Sequence, residues 1–384
     1  MNRGISFVGS LYGARYGEGL CLRCCSRASR IRGPVGGVRM MSGSGADVVE
    51  EVRRAVREDY VTRTGMMEFG SRRLRVLAGT SSMELAREIA RYLGQDGPEA
   101  VVSRRFSDGE SYVKIERSVR GCDVFIVQST GPPVNDNLME MLLLIDACRR
   151  AHAAQVTVVV PYYGYARADR IVEKREALSS KLVANLITKA GADRVVVMDI
   201  HSAQSCGFFD IPLDHVYGSQ PLVRHLRALH GEDLHDLVIV SPDVGGVARA
   251  RAVAKMLDDA PLAIIDKRRS AHNVAEVMNL IGEVEGKTAI LVDDMIDTAG
   301  TICAGSKLLR KRGAKSVYAM ATHALFSGPA IERLSEPGIF ERVIVTNSLD
   351  IPLERQFPQL EVVSAGEALG EAIWRVHDDF SVVF

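Results

Sequence analysis

Two adjacent acids, Asp293 and Asp294, end the apolar run Ala289–Val292 and are followed by Asp297-Thr298-Ala299-Gly300-Thr301. A strand burying that run delivers both carboxylates to the rim of a sheet, where they can accept hydrogen bonds from the vicinal hydroxyls of a ribose. The small-residue turn then enters a helix near Thr301. Its backbone N–H groups and the helix dipole together suit a phosphate, and Thr298 and Thr301 add hydroxyl donors. A small-residue turn alone usually just connects elements, but two acids before Asp-Thr-x-Gly-Thr point to a sugar phosphate.

Two further constellations sit at strand ends. Lys267 and Arg269 follow the apolar run Leu262–Ile265 and share one side by period two. Such a pair is either a solvated basic turn or a site of positive charge for an anion. Asp199 and His201 bracket the end of Val195–Met198 with the same spacing. The pair reads as a capped end or as a group that organises a metal.

The elements needed to carry these residues follow from the pattern. Arg75–Ala78, Val124–Gln128, Val156–Val160, Val195–Met198, Leu237–Val240, Leu262–Ile265 and Ala289–Val292 read as strands. Most are continuously apolar, as strands buried on both faces are. Helices alternate with them. One begins near Met83 with Ser81 or Ser82 as N-cap. One opens at Asn135-Asp136-Asn137 with Leu138, Met141, Leu142 and Ile145 on one face. One is marked by Leu182, Val183, Leu186 and Ile187, and one runs from Gly245-Gly246 to Met256. Such alternation predicts an α/β protein of parallel sheets flanked by helices, with ligands at the carboxyl ends of the strands. The run Val195–Asp199 parallels Ala289–Asp293, which predicts a duplicated unit with a boundary near 217–220.

Composition narrows the function classes. The chain has 384 residues with Lys plus Arg equal to Asp plus Glu at 48 each, so no global field draws in nucleic acid or an anionic membrane. No apolar run approaches the roughly 18 residues that span a bilayer. Seven scattered cysteines are no disulfide framework. Cys21, Cys24 and Cys25 have a C-x-x-C spacing but no second Cys/His pair nearby to complete a zinc site. The first 46 residues hold seven Arg, no Lys and the single acid Glu18. That composition fits a mitochondrial-type transit peptide, a disordered extension, or sequence upstream of a start at Met40 or Met41. The location is therefore cytoplasmic or organellar.

The segment Asp293–Thr301 resembles the phosphoribosyl-diphosphate (PRPP) loop shared by type I phosphoribosyltransferases and ribose-phosphate pyrophosphokinases. Phe106–Glu110 (FSDGE), Val134–Glu140 (VNDNLME), Tyr162–Asp169 (YYGYARAD), Asp199–Asp214 (DIHSAQSCGFFDIPLD), Ser241–Gly246 (SPDVGG) and Ile264–Arg269 (IIDKRR) are similar to the pyrophosphokinase, or PRPP synthase, family in order across residues 74–384. The resemblance implies two tandem type I phosphoribosyltransferase-like (Rossmann-like) domains, 72–218 and 219–384, behind an extension over 1–71. It implies transfer of the diphosphate of ATP to ribose 5-phosphate, releasing AMP. Asp293, Asp294, Asp297, Thr298, Ala299, Gly300 and Thr301 then bind ribose 5-phosphate, and Lys267 and Arg269 stabilise the moving diphosphate. Arg167 and Ala168 fall where the family grips ATP. Asp108, Gly109 and Glu110 match a turn that reaches the adenine from a neighbouring subunit, which implies a homo-oligomer, a hexamer by family pattern. The family's nucleotide-linked Mg2+ lies near His201 and Asp243, with Asp199 adding charge. Magnesium prefers oxygen ligands and retained water, so His201 is expected to touch it weakly or through water. Asp210 and Asp214 read equally as turn acids. Ser118 and Arg120 match an effector-phosphate site.

The match has departures. Ala168 replaces the family's usual Gln, and residues 169–177 carry fewer positive charges than usual, without a proline. The chain ends at Phe384 in place of a longer Ser-rich tail, so the resemblance does not extend to phosphate activation or ADP inhibition. A catalytically silent associated subunit is the rival reading. A base-specific phosphoribosyltransferase fits the tandem unit poorly.

Overall fold

The computed structural model describes residues 73–231, 234–268 and 277–382. The transit-peptide reading, the cysteines at 21, 24 and 25, and Arg269 lie outside the described residues, as does the side chain of Lys267. In the first half, β1 (Leu74–Ala78) leads to α1 (Met83–Tyr92), then to the hairpin β2 (Val101–Arg105) and β3 (Ser111–Ile115). Next come β4 (Asp123–Val127), α2 (Val134–Arg150), β5 (Gln155–Val160), α3 (Ser179–Ala190), β6 (Arg194–Met198), β7 (Leu213–Val216) and α4 (Ser219–His230). The second half begins with β8 (Leu237–Ser241), α5 (Val247–Met256), β9 (Leu262–Arg268) and β10 (Val277–Ile281). It continues with β11 (Thr288–Ile296), α6 (Gly300–Lys311), β12 (Ser316–Ala324), α7 (Ala330–Leu334), β13 (Arg342–Thr346), β14 (Leu360–Val363) and α8 (Gly366–His377).

The strands form a sheet of order β1-β4-β5-β6-β7 and a second of order β10-β9-β8-β11-β12-β13-β14. All neighbours are parallel except β9 and β10. Every residue of β4 and of β8 is buried, because helices cover both faces of each sheet. The unit is duplicated: β1-β4-β5-β6-β7 repeats as β8-β11-β12-β13-β14, each with an antiparallel pair inserted after its first strand. The partner of β11 in this repeat is β4, which corrects the pairing of Val195–Asp199 with Ala289–Asp293. An apolar run ending in Asp is a property of many buried parallel strands, so it does not fix the alignment of the repeats.

Other local expectations also shift. Ser82 takes the N-cap position of α1, but neither Ser81 nor Ser82 makes a side-chain capping bond there. Ser81 Oγ donates to Ser129 O at 2.7 Å and Ser82 Oγ accepts from Ser129 N at 2.8 Å, so both hydroxyls tie β1 to β4. The deeply buried face of α2 is Asn137, Glu140, Met141, Leu144, Ile145 and Cys148, with Leu138 and Leu142 at its margin. On α3, Val183 and Ile187 are buried while Leu182 and Leu186 are exposed. β9 and β11 outrun their apolar cores. β10 pairs with β9 through Lys267 and Arg268, and β12 pairs with β11 through Ile296.

The two halves exchange a helix. α4, which follows the first sheet, packs Leu222, Val223 and Leu226 with Ile290, Met320 and Ile344 of the second. α8, which follows the second sheet, packs Leu369, Ala372, Ile373 and Val376 with Val76, Phe125, Val159 and Val196 of the first. Burying Leu369 and Ile373 contributes about 1.5–3 kcal/mol each. Close approach of α8 to α1 depends on small residues, since a Cβ on Gly370 would lie 2.5 Å from the Tyr92 ring. His377 Nδ1 lies 2.7 Å from Asp123 Oδ2 and anchors the end of α8 to β4. A cut at 218/219 therefore separates the first sheet from one of its own covering helices.

Candidate active site

The carboxyl ends of the two sheets face each other. Ser129, beyond β4, donates its hydroxyl to Ser348 O beyond β13. The Tyr162 and His323 rings meet edge to face with centroids 5.0 Å apart. Tyr162 also packs with Leu325, Leu349 and Met295. Arg167, Asp199 and His201 of the first half meet Asp297, Thr322 and Asp294 of the second across this seam.

β11 keeps its ladder past the acids because Asp293 pairs in register with Ala321 and Met295 with His323. Asp294 is buried with both carboxylate oxygens engaged. Its Oδ2 lies 2.6 Å from His201 Nδ1, and its Oδ1 lies 3.3 Å from Arg249 Nη1. The Asp293 side chain keeps 28% of its surface exposed. Its Oδ1 accepts from Asp294 N at 2.9 Å and lies 3.5 Å from Arg249 Nη1. Burial, a side-chain hydrogen bond with Asp294 and repulsion from it push Asp293 up to about 8. Burial opposes ionisation of Asp294 too, but the His201 hydrogen bond and the Arg249 charge outweigh it and hold that carboxyl below its ordinary range. The same hydrogen bond raises His201.

After Asp297, Ala299 takes a left-handed backbone with φ 59° and turns the chain into α6. No side chain caps that helix and no acid sits in its first turn. Its leading N–H groups have no carbonyl to meet within the helix, so the turn suits an anion. Arg333 Nη1 braces the turn by donating to Thr298 O at 2.9 Å, while Thr298 and Thr301 are exposed. Arg167 arrives from the first half, on the loop after β5, and donates to Asp297 Oδ2 at 2.6 Å. Burial works to raise Asp297, yet bonds from Ser327 and Arg167 bring it below its ordinary value. Ala168 N closes the local turn on Tyr165 O at 3.1 Å.

The expected metal residues separate. Asp199 is buried, and its Oδ2 accepts from Gly218 N at 2.9 Å and from the Thr322 hydroxyl. Through that oxygen it serves as a bracket between β6, α4 and β12. Asp243 is exposed and uses Oδ1 to accept from Gly246 N at 2.8 Å, which shapes the start of α5. Among the described residues no cluster of three or more His, Cys, Asp or Glu is set to hold a metal ion. Magnesium needs only one or two carboxylates when substrate phosphates complete its shell, and Asp243 keeps an exposed carboxylate.

The remaining residues lie on exposed turns. Gly109, at φ 95°, closes the β2–β3 turn, where Asp108 Oδ1 accepts from Glu110 N at 3.0 Å. Beside it, Arg104 lies 4.6 Å from the Tyr112 ring centroid, and Phe106 meets Tyr112 edge-on. Ser118 Oγ accepts from Arg120 N at 3.4 Å in the loop before β4. Asp210 pairs with Lys181, while Asp214, within β7 and only partly exposed, pairs with Arg194. Sequence reasoning missed Arg249, Thr322 and His323. Arg249 had a faint signal, an Arg one turn into the helix that SPDVGG opens.

Two parallel sheets flanked by helices meet at their carboxyl ends, and one of them presents paired acids and an uncapped helix start there. The chain belongs to the ribose-phosphate pyrophosphokinase family. The family model for the N-terminal domain of ribose phosphate pyrophosphokinase matches residues 74–191, and that for the phosphoribosyl synthetase-associated domain matches 251–384. A ribose-phosphate pyrophosphokinase of Synechococcus elongatus is 65% identical over 311 residues, 81% of this chain and 92% of the relative. The chloroplastic ribose-phosphate pyrophosphokinase 1 of Oryza sativa subsp. japonica is 60% identical over 310 residues, 81% of this chain and 78% of that one. The crystal structure of phosphoribosylpyrophosphate synthetase from Mycobacterium smegmatis superposes with a TM-score of 0.75 at 44% identity, covering 80% of this chain and all of that one.

Proposed function

We propose that the chain is a ribose-phosphate diphosphokinase that moves the β,γ-diphosphate of ATP onto O1 of ribose 5-phosphate, giving PRPP and AMP. The observation that carries this reading is the Asp293–Thr301 segment. It joins half-exposed Asp293 to an uncapped, acid-free helix start directly opposite Arg167 and His201 of the other sheet. Ribose 5-phosphate lies with its phosphate on the turn 297–301 and its vicinal hydroxyls donating to Asp293. The O1 oxygen attacks the β-phosphorus, the bond from that phosphorus to the α,β-bridging oxygen breaks, and AMP leaves with the electron pair. The O1 proton passes to solvent.

Such transfer is mostly positioning and charge stabilisation, the work assigned to Lys267 and Arg269. Arg167 and Ala168 flank the nucleotide, with Asp108, Gly109 and Glu110 contributed by a neighbouring copy in a homo-oligomer, a hexamer on the family pattern. Mg2+ brought with ATP neutralises phosphate charge, and His201 and Asp243 would hold it. The halves 72–218 and 219–384 are then the two walls of one active site. Ser118 and Arg120 remain candidates for an effector phosphate. The Arg-rich start of the chain and the chloroplastic rice relative support an organellar location.

The deciding experiment gives the purified full chain ATP, Mg2+ and ribose 5-phosphate and follows AMP together with PRPP. Stoichiometric AMP and PRPP are expected. Folded protein that forms no AMP above background would sink the reading and favour a silent associated subunit.

A further inference from the structure

Arg249 has no role in the mechanism above, yet it is the cation that both acids of β11 share. The turn Ser241–Gly246 fixes where α5 begins: Ser241 Oγ donates to Asp243 O at 2.7 Å and Asp243 Oδ1 accepts from Gly246 N. Burial of Ala250, Val253 and Ala254 then sets the roll of the helix. Arg249, with 26% of its side chain exposed, is thereby held against the end of β11. One guanidinium nitrogen lies 3.5 Å from Asp293 Oδ1 and 3.3 Å from Asp294 Oδ1. Successive strand residues normally send their side chains to opposite faces, so a shared cation constrains both carboxylates strongly. Two neighbouring acids in a poorly solvated place also repel, and a guanidinium between them offsets that repulsion.

We propose that Arg249 is the positioning residue of the ribose site, fixing the Asp293 carboxylate in the orientation that receives the ribose hydroxyls. Asp294 has both oxygens occupied, by His201 and Arg249, and acts as the support on which Asp293 and Arg249 are aligned. The inference rests on the ribose 5-phosphate reading of this loop. It assigns Arg249 no contact with ATP and none with the reacting oxygen.

The test uses the full chain with Arg249→Gln, which keeps a polar side chain without the charge, and Arg249→Lys, which keeps the charge without the fork. Ribose 5-phosphate binding is measured by calorimetry and turnover by AMP formation, with Tm as a control of folding. Arg249→Gln should weaken ribose 5-phosphate binding and raise its KM by about 10- to 100-fold, as expected for a lost charged hydrogen bond. The KM for ATP should stay unchanged and kcat should fall by less than about 3-fold. Arg249→Lys should fall between Gln and wild type. Binding by both variants equal to wild type overturns the inference while leaving the functional reading intact. A parallel rise in both KM values with a lowered Tm also overturns it, by reducing Arg249 to a packing residue. A wild-type chain that does not bind ribose 5-phosphate overturns the functional reading, and this inference with it.

Discussion

Asp199 accepts a hydrogen bond from the backbone of Gly218 at 2.9 Å and another from the Thr322 hydroxyl, so one carboxylate joins the end of β6 to the start of α4 and to the second sheet. His323 Nε2 lies 3.2 Å from the Asp199 carbonyl and adds a third tie. Asp199→Ala would strand buried donors and should cost roughly 3–5 kcal/mol in urea denaturation. Asp199→Asn should lose about half as much. Activity of the surviving folded fraction should show the wild-type Mg2+ dependence. A shift in Mg2+ requirement at unchanged stability would return Asp199 to the metal.

Each chain should bind one ribose 5-phosphate. Where β11 presents Asp293 and Asp294, the corresponding β4 runs into Gln128 and Ser129, both buried. The seam beside them already contains an anion. The Glu140 carboxylate accepts from Thr80 N at 3.2 Å, Thr80 Oγ1 at 2.6 Å and Gln128 Nε2 at 2.9 Å. The first turn of α2 also carries Asp136, whereas that of α6 carries no acid. Calorimetric titration should therefore give one site per chain. Two equivalent sites would contradict the idea that Glu140 has closed the first copy.

Lys267→Ala should lower kcat by orders of magnitude with little change in the KM for ribose 5-phosphate, because a charge that acts on the moving diphosphate is needed only as transfer proceeds. A change confined to KM would move Lys267 from the transfer step to substrate binding.

Stability should depend on pH through Glu361. Burial tends to raise this carboxyl, but hydrogen bonds from His225 on α4 and Arg342 on β13, with their charges, hold it below its ordinary value of 4.5. A depressed folded value means that the stabilisation is complete above 4.5 and is lost as pH falls through the lower folded value. Partial exposure keeps the effect near 0.5–1 kcal/mol. Glu361→Gln should be less stable than wild type by about that amount at pH 7, and the gap should close as the pH falls through the folded value. A gap that persists in acid would assign Glu361 a packing role instead.

What could be read from the sequence follows the range of each interaction. The parallel strands were legible because their residues are buried on both faces and so are continuously apolar. The turn into α6 was legible because residues 297–301 build it from neighbours along the chain. The bracketing bonds of Asp199 were not legible because the groups that donate to it, Gly218 and Thr322, lie 19 and 123 residues away. The bond between His201 and Asp294 spans 93 residues and leaves no local trace. Arg249 was indistinguishable from Arg251 until the roll of α5 was known. α4 and α8 each bury one apolar face, but a stripe of apolar residues carries no address for the sheet it will cover.

That exchange of helices sets an order of assembly during synthesis. The first sheet is complete in the chain by Val216, yet Leu369, Ile373 and Val376, which cover it, are made only after the second sheet. Until then Val76, Phe125 and Val196 face water or whatever shields a nascent chain. Neither half can finish its core alone, so the seam that becomes the active site closes only when the whole chain is present.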